Sequence, residues 1–90
     1  MNGAMALRML EGKEHYDLLL FDNDLPHVNG VELIRRARQL PHRRRTPVVM
    51  FSAGDVDAEA WRAGADAVLK KPDDMGRLTA MVKRLLAGGE

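Results

Sequence analysis

Two kinds of apolar pattern alternate along the chain. Compact apolar runs at residues 16–21, which Asp17 alone interrupts, and at residues 47–51 and 67–69 predict three short strands that are covered on both faces. Around these runs, apolar residues recur at helical spacing in segments 4–10, 31–39 and 75–85, and a short helix is predicted to end near residue 61. The predicted order of elements is therefore αβαβαβα.

Turn-forming and capping residues separate these segments. A glycine or proline follows each of the first three predicted helices, at Gly12, Pro41 and Gly64. Short acidic side chains can accept hydrogen bonds from the free N–H groups at the start of a helix. Asp55 or Asp57 is therefore predicted to cap the third helix. Asp73 or Asp74 is predicted to cap the last one.

Strands that alternate with helices predict a parallel sheet with right-handed crossovers. We expect an α/β fold, a three-layer αβα sandwich formed by one domain over residues 1–90. In such sheets a functional crevice lies beyond the carboxyl ends of the strands, where this chain has Asp22, Ser52 and Lys71. A carboxylate, a hydroxyl and an ammonium could accept, orient and neutralise a phosphoryl group, so the predicted chemistry is phosphoryl transfer.

Several separately spaced motifs resemble one family, the receiver domain of response regulators. The sequence YDLLLFDNDLPHVNG at residues 16–30 resembles the third strand and acidic turn of that family. Residues 46–53 resemble its fourth strand, residues 63–67 the approach to its fifth strand, and residues 69–72 its closing Lys-Pro. The resemblance implies a flavodoxin-like fold and a two-component signalling module that is not itself an enzyme. A sensor histidine kinase is the partner that it implies.

The resemblance also assigns roles to individual residues. Asp22 matches the phosphoacceptor, and Ser52 and Lys71 match the residues that contact the phosphoryl group. Asp24 matches the position whose backbone carbonyl binds Mg²⁺ together with the phosphoacceptor. The two positions that shape the following turn are matched by Pro26 and Gly30.

Two departures from the family pattern change the expected function. The family's first strand, first helix and second strand have no counterpart in this sequence, and the acidic pair that completes the Mg²⁺ site is missing with them. We therefore expect a truncated receiver with weak or absent Mg²⁺ binding and little phosphorylation. At the switch position, Val68 stands where the family usually has an aromatic residue, which predicts a blunted or absent conformational switch.

The missing strands also affect how the sheet is expected to end. In a complete receiver the third strand lies between two others, so here the strand that runs from Tyr16 to Phe21 should have an unpaired apolar edge. Such an edge is a template for pairing with another chain. We expect a homodimer in which two copies of this strand pair antiparallel.

The charge and composition of the chain limit the classes of partner and the cellular location that we expect. The chain has 14 Lys and Arg against 13 Asp and Glu, a net charge of +1. It therefore has no broad positive field to attract a polyanion, and we do not expect a nucleic-acid partner. The one basic cluster, residues 43–45, lacks aromatic residues for base stacking and is predicted to be a solvated loop. No apolar run approaches the roughly 20 residues that span a bilayer. With no cysteine, a cytoplasmic protein is expected.

Two other functions remain open at this stage. The chain could be a phosphorylation-competent receiver whose start was misassigned or whose site is completed in a dimer. It also resembles, more distantly, a phosphohydrolase of the haloacid dehalogenase type, with Asp22 as the nucleophile and Asp24 as the acid and base. Against the second reading, Leu25 and Pro26 replace that family's Gly-Thr, and ninety residues leave no room for a cap domain.

Overall fold

The computed structural model describes residues 3–24, 27 and 29–88. Along these residues the elements are, in order, α1 Gly3–Glu11, β1 Leu19–Asp22, α2 Gly30–Gln39, β2 Val48–Ser52, α3 Asp57–Ala63, β3 Ala67–Lys70 and α4 Leu78–Gly88. A short 3-10 turn at Met75–Arg77 leads into α4. The predicted order αβαβαβα is confirmed.

The strands of the described residues form one parallel sheet in the order β1-β2-β3. The register pairs Asp22 with Phe51 and Ser52 with Lys70, so the carboxyl ends of all these strands lie side by side. β2 is the central strand, and residues 48–50 within it are fully buried. The sheet therefore brings the polar residues at the ends of its strands to one common edge.

Helices cover both faces of this sheet. On one face, α1, α2 and α3 pack over a cluster that includes the buried residues Leu10, Ile34, Met50 and Ala60. On the other face, α4 places Leu78, Met81 and Leu85 against Val49, Ala67 and Leu69. The three-layer αβα architecture predicted from the sequence is confirmed. Among the described helices, none has the length and apolar character needed to cross a membrane.

The first strand is shorter than the apolar run that predicts it. The run starts at Tyr16, but β1 begins at Leu19, where pairing with Val48 begins. Tyr16 instead packs beneath the guanidinium of Arg43, which lies 4.6 Å from the centre of the phenol ring. The part of the run that pairs in the sheet is therefore shorter than the run itself, and Tyr16 contributes to side-chain packing instead.

The acidic caps predicted for the last two helices do not form. Val56 occupies the N-cap of α3, and Asp57 lies in the first helical turn with its Oδ1 3.3 Å from Lys70 Nζ. Asp74 precedes the 3-10 turn without capping it, because its Oδ2 accepts the backbone N–H of Lys70 at 2.9 Å. Both predictions were wrong because contacts with the end of β3 engage these carboxylates. Gly64 does end α3, with a left-handed φ of 116°.

The basic cluster is not a uniformly solvated loop. Arg44 and Arg45 are exposed, as predicted, but Arg43 is only 1% exposed. Its guanidinium donates hydrogen bonds to the carbonyl oxygens of Leu10 at 2.9 Å and Gly12 at 3.0 Å. The last carbonyls of a helix lack partners within the helix, and Arg43 supplies donors to the end of α1. The prediction for Arg43 was wrong because this need arises only once α1 packs beside the loop.

Candidate functional site

The strand ends bring the predicted site residues together. Asp22 is the last residue of β1, Ser52 is the last residue of β2, and Lys71 directly follows β3. Lys71 Nζ donates a hydrogen bond to Asp22 Oδ1 at 2.8 Å. Residues that are 49 positions apart in the sequence therefore form a partly buried ion pair at the carboxyl edge of the sheet.

Lys71 is held in place on two sides. Beyond its bond to Asp22, its ammonium lies 4.9 Å from the centre of the Phe51 ring, which allows a cation–π interaction. The hydrogen bond to Asp22 raises the pKa of the Lys71 ammonium above its ordinary value. The side chain therefore carries a positive charge at neutral pH, as a phosphoryl-contacting lysine requires.

Asp24 makes contacts that the sequence did not predict. Its Oδ1 accepts the hydroxyl of Ser52 at 3.0 Å, and its Oδ2 accepts the backbone N–H of Ala53 at 2.8 Å. Lys71 Nζ lies 3.5 Å from the same Oδ2. The pKa of the Asp24 carboxyl is lowered, first by the Ala53 N–H and then by the Ser52 hydroxyl. The resemblance pointed to the backbone carbonyl of this residue, whereas the structure shows its carboxylate engaged by the site.

The turn after β1 is tied to the site by backbone hydrogen bonds. The backbone N–H of Asp24 donates to Asp22 Oδ1 at 2.9 Å. Ser52 is 2% exposed, and its Oγ accepts the backbone N–H of Gly54 at 3.0 Å while it donates to Asp24. These bonds fix the orientation of both the carboxylate and the hydroxyl. Side chains whose hydrogen bonds are set by a rigid backbone are suited to recognise one ligand geometry.

Of the two positions predicted to shape the turn after β1, Gly30 lies within the described residues and Pro26 does not. Gly30 is the first residue of α2, and its N–H donates to Asn23 Oδ1 at 2.6 Å. A Cβ on Gly30 would lie 2.6 Å from Met50 Sδ and 2.8 Å from Asn23 Oδ1, so a side chain has no room there. Asn29 caps α2 by accepting the N–H of Glu32 at 3.2 Å. Pro26 lies outside the described residues.

The predicted switch position takes part in the packing of the sheet against the helices. Val68 is half-buried on β3 and packs against the core cluster beneath α1, α2 and α3. It has no ring and no hydroxyl, so it can neither rotate an aromatic group nor form a new side-chain hydrogen bond. The structure shows Val68 as a packing residue of β3, and its assignment as the switch position stays a prediction.

Comparison with known proteins identifies this arrangement. The family model of the response regulator receiver domain matches residues 1–83. The chain belongs to the response regulator receiver family. This confirms the resemblance seen in the sequence and assigns the chain to two-component signalling.

The relatives of this receiver are larger proteins. The phosphate regulon transcriptional regulatory protein PhoB of Rhizobium meliloti (strain 1021) is 42% identical over 73 residues, which are 78% of this chain and 32% of that protein. The aerobic respiration control sensor protein ArcB of Escherichia coli (strain K12) is 37% identical over 87 residues, which are 93% of this chain and 11% of that protein. The chain thus spans a third or less of the length of these relatives.

A solved structure shows the same receiver fold. The receiver domain of the sensor histidine kinase PA1611 from Pseudomonas aeruginosa PAO1 superposes with a TM-score of 0.79 at 27% identity. The match covers 94% of this chain and 71% of that receiver. The structure of that receiver has a magnesium ion coordinated in its active site cleft.

In the part of the chain that the structure describes, two carboxylates lie at the site, Asp22 and Asp24, both near the ammonium of Lys71. Among the described residues, no group of three or more His, Cys, Asp and Glu side chains could hold a metal ion. Both carboxylate oxygens of Asp24 accept protein hydrogen bonds, and Asp22 Oδ1 accepts two. Mg²⁺ needs oxygen ligands in near-octahedral geometry. Asp22 and Asp24 are the described carboxylates at this edge of the sheet that could contribute such ligands.

Proposed function

We propose that this chain is a receiver module in which Asp22 stands at the phosphoacceptor position but is phosphorylated poorly, and that it signals through protein contacts. The observation that carries the proposal is the ion pair of Lys71 Nζ with Asp22 Oδ1 at 2.8 Å, beside the buried hydroxyl of Ser52. These are the groups that a phosphoryl acceptor site requires at the ends of adjacent strands. The partner class we propose is a sensor histidine kinase, since one relative is a sensor protein and one structural neighbour is the receiver of a sensor histidine kinase.

Weak Mg²⁺ binding is the reason that we propose for poor phosphorylation. Transfer of a phosphoryl group develops negative charge on its oxygens, and a divalent cation is a usual means of neutralising it. Here the only carboxylates described at the site are Asp22 and Asp24, whose oxygens already accept bonds from Ser52, Ala53 and Lys71. Lys71 supplies one positive charge to the site, which is less than a divalent cation would supply.

Incubation with acetyl phosphate and Mg²⁺ tests this proposal. We expect substoichiometric incorporation of phosphate, measured by intact mass and by release of phosphate in base. Asp22→Asn is the control that defines the background. Stoichiometric, acid-stable and base-labile phosphate that is absent from Asp22→Asn would contradict poor phosphorylation. It would instead establish the phosphorylation-competent receiver, in which Asp22 forms the new O–P bond and acetate leaves.

We also propose that two copies associate through the outer edge of β1. β1 pairs only with β2 among the described strands, and Leu20 on it is 44% exposed. The N–H groups of Leu19 and Asn23 donate to the carbonyl oxygens of Pro47, which directly precedes β2, and Phe51, at 2.8 and 3.0 Å. Because the backbone groups of successive strand residues point to opposite sides, those of Leu20 face away from β2. An unpaired, apolar strand edge is suited to pairing with a second strand.

An apolar cleft continues this edge toward α1. It has a volume of about 190 Å³ and is lined by residues of α1, β1 and the segment before β1, namely Ala6, Met9, Leu10, Tyr16, Leu18, Leu19, Leu20 and Phe21. Covering apolar surface of this kind is the usual driving force for association. The edge and the cleft together support a dimer contact that includes the strand predicted from the sequence.

Light scattering at micromolar concentration tests the dimer. We expect a dimer for the native chain and a monomer for Leu20→Pro, because proline removes an N–H that faces the free edge and leaves the bonds to β2 in place. Leu20→Lys should act likewise by placing charge on the edge. Leu86→Lys, at a similarly exposed leucine on α4, is the matched control and should remain a dimer. A monomeric native chain, or dissociation by the α4 variant alone, would refute pairing through β1.

A further inference from the structure

Three hydrogen-bond donors converge beside Asp22. They are the hydroxyl of Ser52, the backbone N–H of Ala53 and the ammonium of Lys71. We call these three donors together the donor cradle. Each lies near a carboxylate oxygen of Asp24, at 3.0, 2.8 and 3.5 Å respectively. The hydroxyl and the backbone amide donate hydrogen bonds to Asp24, whereas the Lys71 ammonium donates to Asp22 and lies within ion-pair distance of Asp24. A hydroxyl, a backbone amide and a cation gathered in this way form a binding site for an oxyanion.

We propose that the Asp24 carboxylate is an intramolecular occupant of this cradle, held where an external oxyanion such as a phosphoryl group would bind. The donors are then engaged without phosphorylation, and an incoming oxyanion has to displace Asp24. Because Ser52 and Lys71 are taken as phosphoryl contacts, this assignment rests on the proposed function. It adds that a residue of the chain itself competes for those contacts.

The backbone of the turn explains why Asp24 fills the cradle. Asp24 follows Asp22 by two residues, and its N–H donates to Asp22 Oδ1 at 2.9 Å. This bond closes the turn and directs the Asp24 side chain across the strand ends toward Ser52, which is 28 positions away in the sequence. Ser52 is 2% exposed, so little space beside its hydroxyl is left for a second anion. Two anions that shared the cradle would also repel each other.

Titration with inorganic phosphate in the absence of divalent cations tests the occupant role. The comparison is between Asp22→Asn and the double variant Asp22→Asn/Asp24→Ala. Neither can form an aspartyl phosphate at position 22, so binding is separated from covalent transfer. The amide resonances of Ala53 and Gly54 report on the cradle. We expect saturable shifts in the double variant and a half-saturation concentration at least about tenfold lower than in Asp22→Asn, equivalent to one decade in Kd.

Two further variants make the result specific. Asp22→Asn/Asp55→Ala removes a fully exposed carboxylate in the next loop, 3.7 Å from Lys70, and should behave like Asp22→Asn. Asp22→Asn/Asp24→Asn removes the charge but keeps an acceptor oxygen, so its affinity should be intermediate. This variant carries the test if the alanine variant does not fold.

The outcomes separate this inference from the proposed function. Equal phosphate affinity with and without the Asp24 carboxylate, in folded variants, would refute the occupant role. An equal gain from Asp55→Ala would also refute it, because the effect would then be one of net charge. Phosphate incorporation by the native chain from acetyl phosphate decides the proposed function by itself, since these titrations use chains that lack the acceptor aspartate.

Discussion

Replacement of Arg43 by alanine should destabilise the fold far more than replacement of its neighbour. The Arg43 guanidinium is buried and donates to the carbonyl oxygens of Leu10 at 2.9 Å, Gly12 at 3.0 Å and Met9 at 3.4 Å. It also lies over the ring of Tyr16. Arg43→Ala removes these contacts together and leaves the last carbonyls of α1 without their donor.

The magnitude follows from these contacts. A hydrogen bond to a charged group contributes about 1.5–3 kcal/mol, and leaving its partner unsatisfied adds to the loss. Relief of the cost of burying the cation offsets part of the loss, since that cost is on the order of several kcal/mol. We expect a net destabilisation of about 2–4 kcal/mol, within the range of severe single substitutions. A chain of this length has about 5–13 kcal/mol of stability in total, so the effect is large.

Urea unfolding followed by far-UV circular dichroism, at equal protein concentrations, measures the effect. Arg44→Ala is the matched control because Arg44 is exposed, and its free energy of unfolding should lie within about 0.5 kcal/mol of the native value. Arg43→Lys should be intermediate, because one ammonium cannot reproduce the planar fork of donors. If Arg43→Ala and Arg44→Ala are equally stable, Arg43 does not stabilise the end of α1 and the reasoning fails.

Three other results are expected. Gly30→Ala should lower the free energy of unfolding by about 1–3 kcal/mol because its Cβ would overlap Met50 and Asn23, whereas Gly76→Ala, with open space around it, should have little effect in the same urea assay. The pKa of Asp24 is lowered from 3.8, so the stability that its ionised form provides is complete above that pH and is lost as the pH falls through the lower folded-state value. Unfolding curves at decreasing pH should therefore show a smaller loss for Asp24→Asn than for the native chain, and equal losses would contradict the assignment. The chain should not hydrolyse p-nitrophenyl phosphate above the background of a mock purification, and turnover that requires the phosphoacceptor aspartate would revive the phosphohydrolase reading.

The sequence was most informative where a feature depends on strand order alone. Asp22, Ser52 and Lys71 could be grouped in advance because the carboxyl ends of parallel strands meet at one edge, whatever the details of packing. The burial of Arg43 could not be predicted, since its partners are carbonyl groups of a helix about thirty residues earlier. Likewise, Asp74 is of a residue type that commonly caps the N-terminus of a helix, but its carboxylate accepts the backbone N–H of Lys70 instead. Local patterns identify which groups need partners, and the tertiary structure decides which partners they meet.

The position of Asp24 links the weak Mg²⁺ binding and the occupied donor cradle that we propose for this receiver. Each of its carboxylate oxygens already accepts a hydrogen bond, from the Ser52 hydroxyl and the Ala53 N–H, which weakens both oxygens as metal ligands and fixes the direction of their remaining lone pairs. A contact that engages Ser52 and Ala53 therefore also weakens the ligand set for Mg²⁺. Conversely, a partner or ligand that drew Asp24 away from Ser52 would free the donors and one carboxylate at the same time. Donor engagement and metal affinity should then change in opposite directions, through the conformation of one side chain.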